Sequence, residues 1–136
     1  MPSARRRARA LAFQALFEVD SVRHDTEVVL KRLLTEEELS EDNVAFICEL
    51  VRGVLQNKEK IDHHIKALAP AWPVEQISAI DRNILRLAIF EILLDNKVPV
   101  RVAINEAVEL AKKFGSSNSP KFVNGVLGSV STLTTR

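Results

Sequence analysis

The sequence predicts an all-α protein of about seven helices in two abutting three-helix groups. Prolines stand only at 2, 70, 73, 99 and 120 and glycines only at 53, 115, 125 and 128, leaving long stretches free of helix breakers. Within those stretches apolar residues recur at three- and four-residue steps, the period of a helix with one covered face. No segment alternates apolar and polar residues between turn signals, as a half-buried strand would.

Each element has its own signals. The first helix is expected over 3–20 and the second over 25–35, with Val28, Val29, Leu33 and Leu34 on one side. Ser40 can cap a long third helix, whose apolar positions Val44, Ile47, Cys48, Val51, Val54, Leu55, Ile61, Ile65 and Leu68 run through residue 68. LAPAWPVE then breaks the chain, and Trp72 between two prolines is expected to plug the seam between the groups. The first group covers about 1–69 and the second about 74–136 of a single domain. A helix over 75–94 carries Ile77, Ile80, Ile84, Leu87, Ala88 and Ile92 as its core stripe, with Glu91 inside it. Ser78 and Asp81 have capping-box spacing, which moves its start towards 79. Pro99 opens the next helix, Glu109 and Lys113 make a favourable pair on it, and Gly115 ends it. Ser119 as N-cap and Pro120 at N1 start the last one, where Gly125 and Gly128 would admit a close neighbour.

Composition removes several function classes. A chain of 136 residues with 46% hydrophobic and 27% charged residues suits one soluble domain. No apolar run approaches the roughly 18 residues of a membrane span, and no apolar stretch follows the N-terminal charges as in a secretory signal, so a cytoplasmic protein is expected. Lone Cys48 permits no intrachain disulfide and reads as a buried thiol. His63 and His64 are adjacent and point about 100° apart on a helix, so no metal site or cofactor is expected.

Charge distribution is more telling than the net charge of +1. Arg5, Arg6, Arg7 and Arg9 stand at the amino end with no acid before Glu18, whereas TEEELSED (35–42) holds five acids and no base. That acidic run reads as a solvated face and cap. The arginines sit at a helix N-terminus, where cations are disfavoured and repel one another unless an anion offsets them. On a helical wheel Ala8, Ala12, Ala15 and Val19 share an arc of about 60°, flanked by Leu11 and Leu16, while Phe13 and Phe17 lie roughly 130–170° away with Arg6. Either the rings pack against a second layer, or rings and guanidinium groups together offer stacking planes and phosphate-pairing forks to RNA.

Three segments carry a resemblance over nearly the whole chain: RRRARALAFQALFEVD, DRNILRLAIFEILL and VPVRVAINEAVELAKKFGSSNSPKFVNGVLGSV. In order and spacing they resemble the NusB family of bacterial transcription antitermination factors, KFVNGVL beside INEAVELAK being the most specific part. The resemblance implies two perpendicular three-helix groups and no catalysis. It implies pairing with NusE, a small-ribosomal-subunit protein, and binding of boxA RNA by the pair. The assembly then joins RNA polymerase in an antitermination complex on ribosomal RNA operons. Some family members self-associate, so a homodimer stays open.

By the same resemblance Arg5, Arg6, Arg7 and Arg9 match the family's RNA-binding motif, and Phe122 matches an aromatic position at the RNA surface, with a core ring as its alternative. Asn118 matches a position that is acidic in some members, and its neutral amide spares the phosphates a like charge. Ser119 and the N–H groups after it could hold a phosphate, with Lys112, Lys113 and Lys121 as a basic rim. Phe17 and Asp81 match the NusE-facing side, and Arg86, opposite the core stripe of its helix, could serve RNA, NusE or neither. The rival from another class is the RNA-holding domain of a ribosomal RNA cytosine methyltransferase, for which the chain carries neither a glycine-rich methyl-donor motif nor a catalytic cysteine motif.

Overall fold

The computed structural model describes residues 3–69 and 73–134, and Trp72, expected at a seam, lies outside them. Seven α-helices are found among the described residues: α1 (Ala4–Ser21), α2 (Thr26–Thr35), α3 (Glu41–Gln56), α4 (Lys58–Leu68), α5 (Ala79–Ile89), α6 (Val100–Phe114) and α7 (Ser119–Ser131). A 3-10 turn, Val74–Gln76, precedes α5, and a π-helical stretch, Phe90–Asp95, continues it. No helix among the described residues is long and apolar enough to cross a membrane. The chain divides into two compact units, one ending at Gly53 and the other starting at Val54.

In the first unit α1 packs on α2. Ser3 caps α1, its Oγ accepting from the Arg6 N–H at 3.1 Å, and Asp25 caps α2 through the Val28 N–H at 3.2 Å. Burial on α1 runs from Leu11 round to Phe13, an arc of about 200° at 100° per residue. Phe13 is therefore buried, contrary to its expected place off the core, while Val19 is only half-buried. A helix covered around more than half its girth hides residues that a single-face wheel assigns to solvent. On α2 the buried residues are Val29 and Leu30, whereas Val28 is exposed, about 140° from Leu33 on the wheel. Glu27 receives both Nε and Nη2 of Arg52, at 3.1 and 2.6 Å, and so ties α2 to α3. Cys48 is a free thiol, half-buried rather than fully enclosed.

Hydrogen bonds hold two carboxyls of this unit below their ordinary value of 4.5: His24 and Arg32 act on Glu18, and Arg52 acts on Glu27. The folded state therefore binds fewer protons than the unfolded state near and below that value. The stabilisation is complete above about pH 4.5 and is lost as pH falls through the lowered values. The melting temperature is expected to fall between about pH 4.5 and about pH 3. Arg52→Gln should flatten that fall, read by circular dichroism.

The predicted helix over 40–68 is two helices. Ser40 caps α3, accepting from the Asn43 N–H at 3.1 Å, but the helix stops at Gln56 and α4 begins after Asn57. The break falls in the polar interval QNKEK, which has no apolar residue to hold a continuous face in the core. From there α4 packs on α5 and α7, α5 on α6 and α7, and α6 on α7. Ile61, Ile65, Ile84, Leu85, Ile89, Ile92, Val123 and Leu127 are inaccessible.

The central helix of this second unit is α5, buried on every side from Asn83 to Ile89. Ser78 Oγ accepts from the Asp81 N–H at 3.1 Å, the forward half of the capping box, and Asp81 Oδ1 is buried without a hydrogen-bond partner. In the π-helical stretch, the Asn96 N–H reaches back to the Glu91 carbonyl at 3.2 Å, and Asn96 adopts a left-handed φ of 58°. Glu91 is buried there. Three smaller expectations are corrected. Lys112, not Lys113, pairs with Glu109, at 3.3 Å. Asn118 occupies the N-cap of α7, and Ser119 is its first residue. A Cβ at Gly125 or Gly128 would meet nothing within 4 Å, so no neighbouring helix requires them to be glycine.

Candidate nucleic-acid interface

The candidate residues form two sets, one in each unit. In the first unit α1 presents its arginines towards residues 37–46. The guanidinium carbon of Arg5 lies 4.0 Å from the centre of the Phe46 ring, and that of Arg9 lies 5.2 Å from the same ring. These are cation–π distances. Arg5 Nη1 donates to Asn43 Oδ1 at 2.8 Å, and its Nη2 lies 3.2 Å from Asp42 Oδ2. Arg7 Nη2 donates to Glu37 Oε2 at 2.8 Å. Arg9 is buried at 5% exposure, Arg6 is half-buried, and Arg5 and Arg7 are exposed.

The acidic run is thus more than a solvated face and cap, because two of its carboxylates neutralise two of the arginines. This answers the repulsion expected of a cationic helix start: α1 has no acid in its own first turn, and the counter-charge comes from the approach to α3 and its first turn. Phe46 escaped the sequence reading. It sits beside core positions Val44 and Ile47, and only tertiary packing brings its face under two guanidinium groups. Phe17 is half-buried, its ring 6.2 Å from that of Phe13 and tilted by 41°.

In the second unit the loop between α6 and α7 is held from within. Ser119 is buried, its Oγ accepting from the Ser116 N–H at 3.0 Å and lying 3.3 Å from Ser116 Oγ. The hydroxyl expected to help hold a phosphate instead fixes the loop that carries exposed Asn118. Gly115 completes the arrangement, since a Cβ there would lie 2.4 Å from Ser119 Oγ and 2.8 Å from the Ala111 carbonyl oxygen.

Asn118 and half-buried Phe122 share the wall of an open cavity of about 230 Å³ with Gln76, Ile77, Ser78 and Asp81. The structure thereby brings together Asp81, assigned to the protein partner, and Asn118 and Phe122, assigned to RNA. Arg86 is not on a free surface. It is buried, with Nε 2.8 Å from Asp62 Oδ1, Nη2 2.9 Å from Asp62 Oδ2 and Nη1 3.3 Å from Asn83 Oδ1. The wheel placed it opposite the core stripe correctly, but α4 covers that side of α5 too. Lys112, Lys113 and Lys121 are exposed, with Lys113 Nζ 5.3 Å from the centre of the Phe114 ring.

Comparison with known proteins supplies the context. A transcription antitermination protein NusB of Dehalococcoides mccartyi is 58% identical over 131 residues, covering 96% of this chain and 92% of the relative. The solved structure of T. maritima NusB superposes with a TM-score of 0.89 at 37% identity, covering 97% of this chain and 93% of that one. A structure of antitermination factors NusB and NusE in complex with dsRNA gives a TM-score of 0.89 at 25% identity, covering 98% of this chain and all of that one. The model of the NusB family matches residues 6–132. The chain belongs to the NusB family.

Proposed function

We propose that this protein is an RNA-binding transcription antitermination factor that binds boxA RNA of ribosomal RNA operons together with NusE. In that role it is a non-catalytic, cytoplasmic subunit of the RNA polymerase antitermination complex. The observation that carries the reading is the pair of guanidinium groups over Phe46 at the amino end of a family member. Stacking on the ring fixes the exposed guanidinium of Arg5, so that it needs little further ordering to meet phosphate oxygens.

The residues divide by task. Arg5, Arg6 and Arg7 supply charge to the RNA backbone, and buried Arg9 holds Phe46 in place. Exposed Asn118 offers amide donors, Phe122 offers a stacking face, and Ser119 fixes the loop that presents them. Phe17 and Asp81 face NusE. Arg86, its fork engaged by Asp62, contributes by holding α5, whose first turn carries Asp81.

A titration of boxA-type and scrambled single-stranded RNA, with and without NusE, tests this at about 50 and about 200 mM salt. The protein alone is expected to bind weakly, and the heterodimer more tightly, with a preference for the boxA sequence. Arg7→Ala should weaken binding about fivefold at the lower salt and reduce the salt slope by about 0.7, the value of one phosphate contact on a single strand. Equal affinity for both RNAs would defeat the sequence-specific reading. An Arg7→Ala variant with unaltered affinity and slope would remove that arginine from the interface.

A further inference from the structure

Resting on the RNA-binding reading above, we infer that Glu37 and Asp42 are internal counter-anions that hold the forks of Arg7 and Arg5 in the free protein. An RNA strand binds by displacing them, so these two carboxylates determine affinity for every polyanion that uses the arginine helix.

The geometry supports displacement. A carboxylate offers the same oxygen-acceptor chemistry as a phosphate, and the contacts of 2.8 Å for Arg7–Glu37 and 3.2 Å for Arg5–Asp42 occupy donors that a phosphate would take. Both pairs lie in solvent: side-chain exposure is 51% and 37% for Arg7 and Glu37, and 43% and 83% for Arg5 and Asp42. Ion pairs in that setting shift an equilibrium by no more than about fivefold each, so an incoming phosphate can replace them. The buried Arg86–Asp62 pair has no such freedom, with Arg86 only 6% exposed.

The two carboxylates also stand on backbone separate from α1. Glu37 lies in the connection between α2 and α3, outside either helix, and can swing away without unwinding one. Asp42 is in the first turn of α3, where its side chain can turn towards solvent. When it does, Arg5 remains over Phe46 and bonded to the neutral Asn43 side chain, so the guanidinium stays placed for the phosphate. Displacement thus exchanges one anion for another with little rearrangement of the cation.

The test compares the wild-type chain with Glu37→Gln, Asp42→Asn and the double variant against single-stranded RNA and inorganic polyphosphate. The double variant is expected to bind both about three- to tenfold more tightly at about 50 mM salt. The gain should shrink as salt rises, because screening weakens the exposed ion pairs whose loss produces it. Glu37→Asp, which keeps the charge, should behave like the wild type, and circular dichroism melts confirm the fold of each variant. Folded amide variants with unchanged or weaker affinity would overturn the inference. If Arg5→Ala and Arg7→Ala still weaken RNA binding in that case, the RNA-binding reading survives. If those two variants leave RNA binding intact, the arginine-face reading fails and this inference fails with it.

Discussion

Asp62→Ala is expected to destabilise the second unit by about 3 kcal/mol or more, the cost of leaving a buried charge without its partner. Arg86 is buried, and the variant takes away the two carboxylate oxygens that engage its fork. Asn83 Oδ1 at 3.3 Å is a neutral acceptor and replaces only a part of that interaction. Urea unfolding followed by circular dichroism reads the change as a lower midpoint. The double variant Asp62→Leu with Arg86→Met should recover much of the loss, because an apolar pair of similar volume has no charge to desolvate. A single variant as stable as the wild type would show that water reaches Arg86.

Gly115→Ala is the second large effect expected. The added methyl would overlap Ser119 Oγ and Cβ, at 2.4 and 2.5 Å, and the Ala111 carbonyl oxygen at 2.8 Å. Two of those atoms are backbone or lie close to it, so the start of α7 must shift rather than a flexible side-chain tip. Overpacking of this kind costs about 1–3 kcal/mol. It also breaks the Ser119–Ser116 bond that shapes the loop, so RNA affinity should fall together with stability. Adding Ser119→Gly removes two of the three clashes and should restore part of the stability without restoring the loop. Unfolding curves and the RNA titration on the same variants separate the two effects.

The sequence reveals local chemistry well and tertiary coverage poorly. Caps at Ser40 and Ser78 are legible because each is a short-range bond between a side chain and an N–H three residues on. The stop at Gly115 is legible for a similar reason. Phe13 is misplaced and the covering of Arg86 is missed because a wheel assumes one covered face, whereas α1 is covered around more than half its girth and α5 on all sides. The halt at Asn57 is hidden because the apolar spacing resumes beyond it, at Ile61, as though nothing had intervened.

The site shows the same division. The arginine run is visible as charge segregation in a near-neutral chain, but its pairing with Glu37 and Asp42 joins residues 30 or more positions apart. Phe46 is invisible for the same reason. The cavity that places Asp81 beside Asn118 and Phe122 likewise depends on how α5 and α7 meet, which no local pattern encodes.

The open flank at Gly125 and Gly128 bears on how α7 keeps its order. Each glycine weakens an isolated helix by about 0.5–1 kcal/mol relative to alanine, and nothing crowds either position. With 13 residues, α7 is near the length at which free peptides barely form helix. Its order is borrowed from α5 and α6 through Val123, Val126, Leu127 and Val130. A synthetic copy of that stretch would therefore be a disordered peptide, and the placement of the Phe122 ring belongs to the assembled second unit.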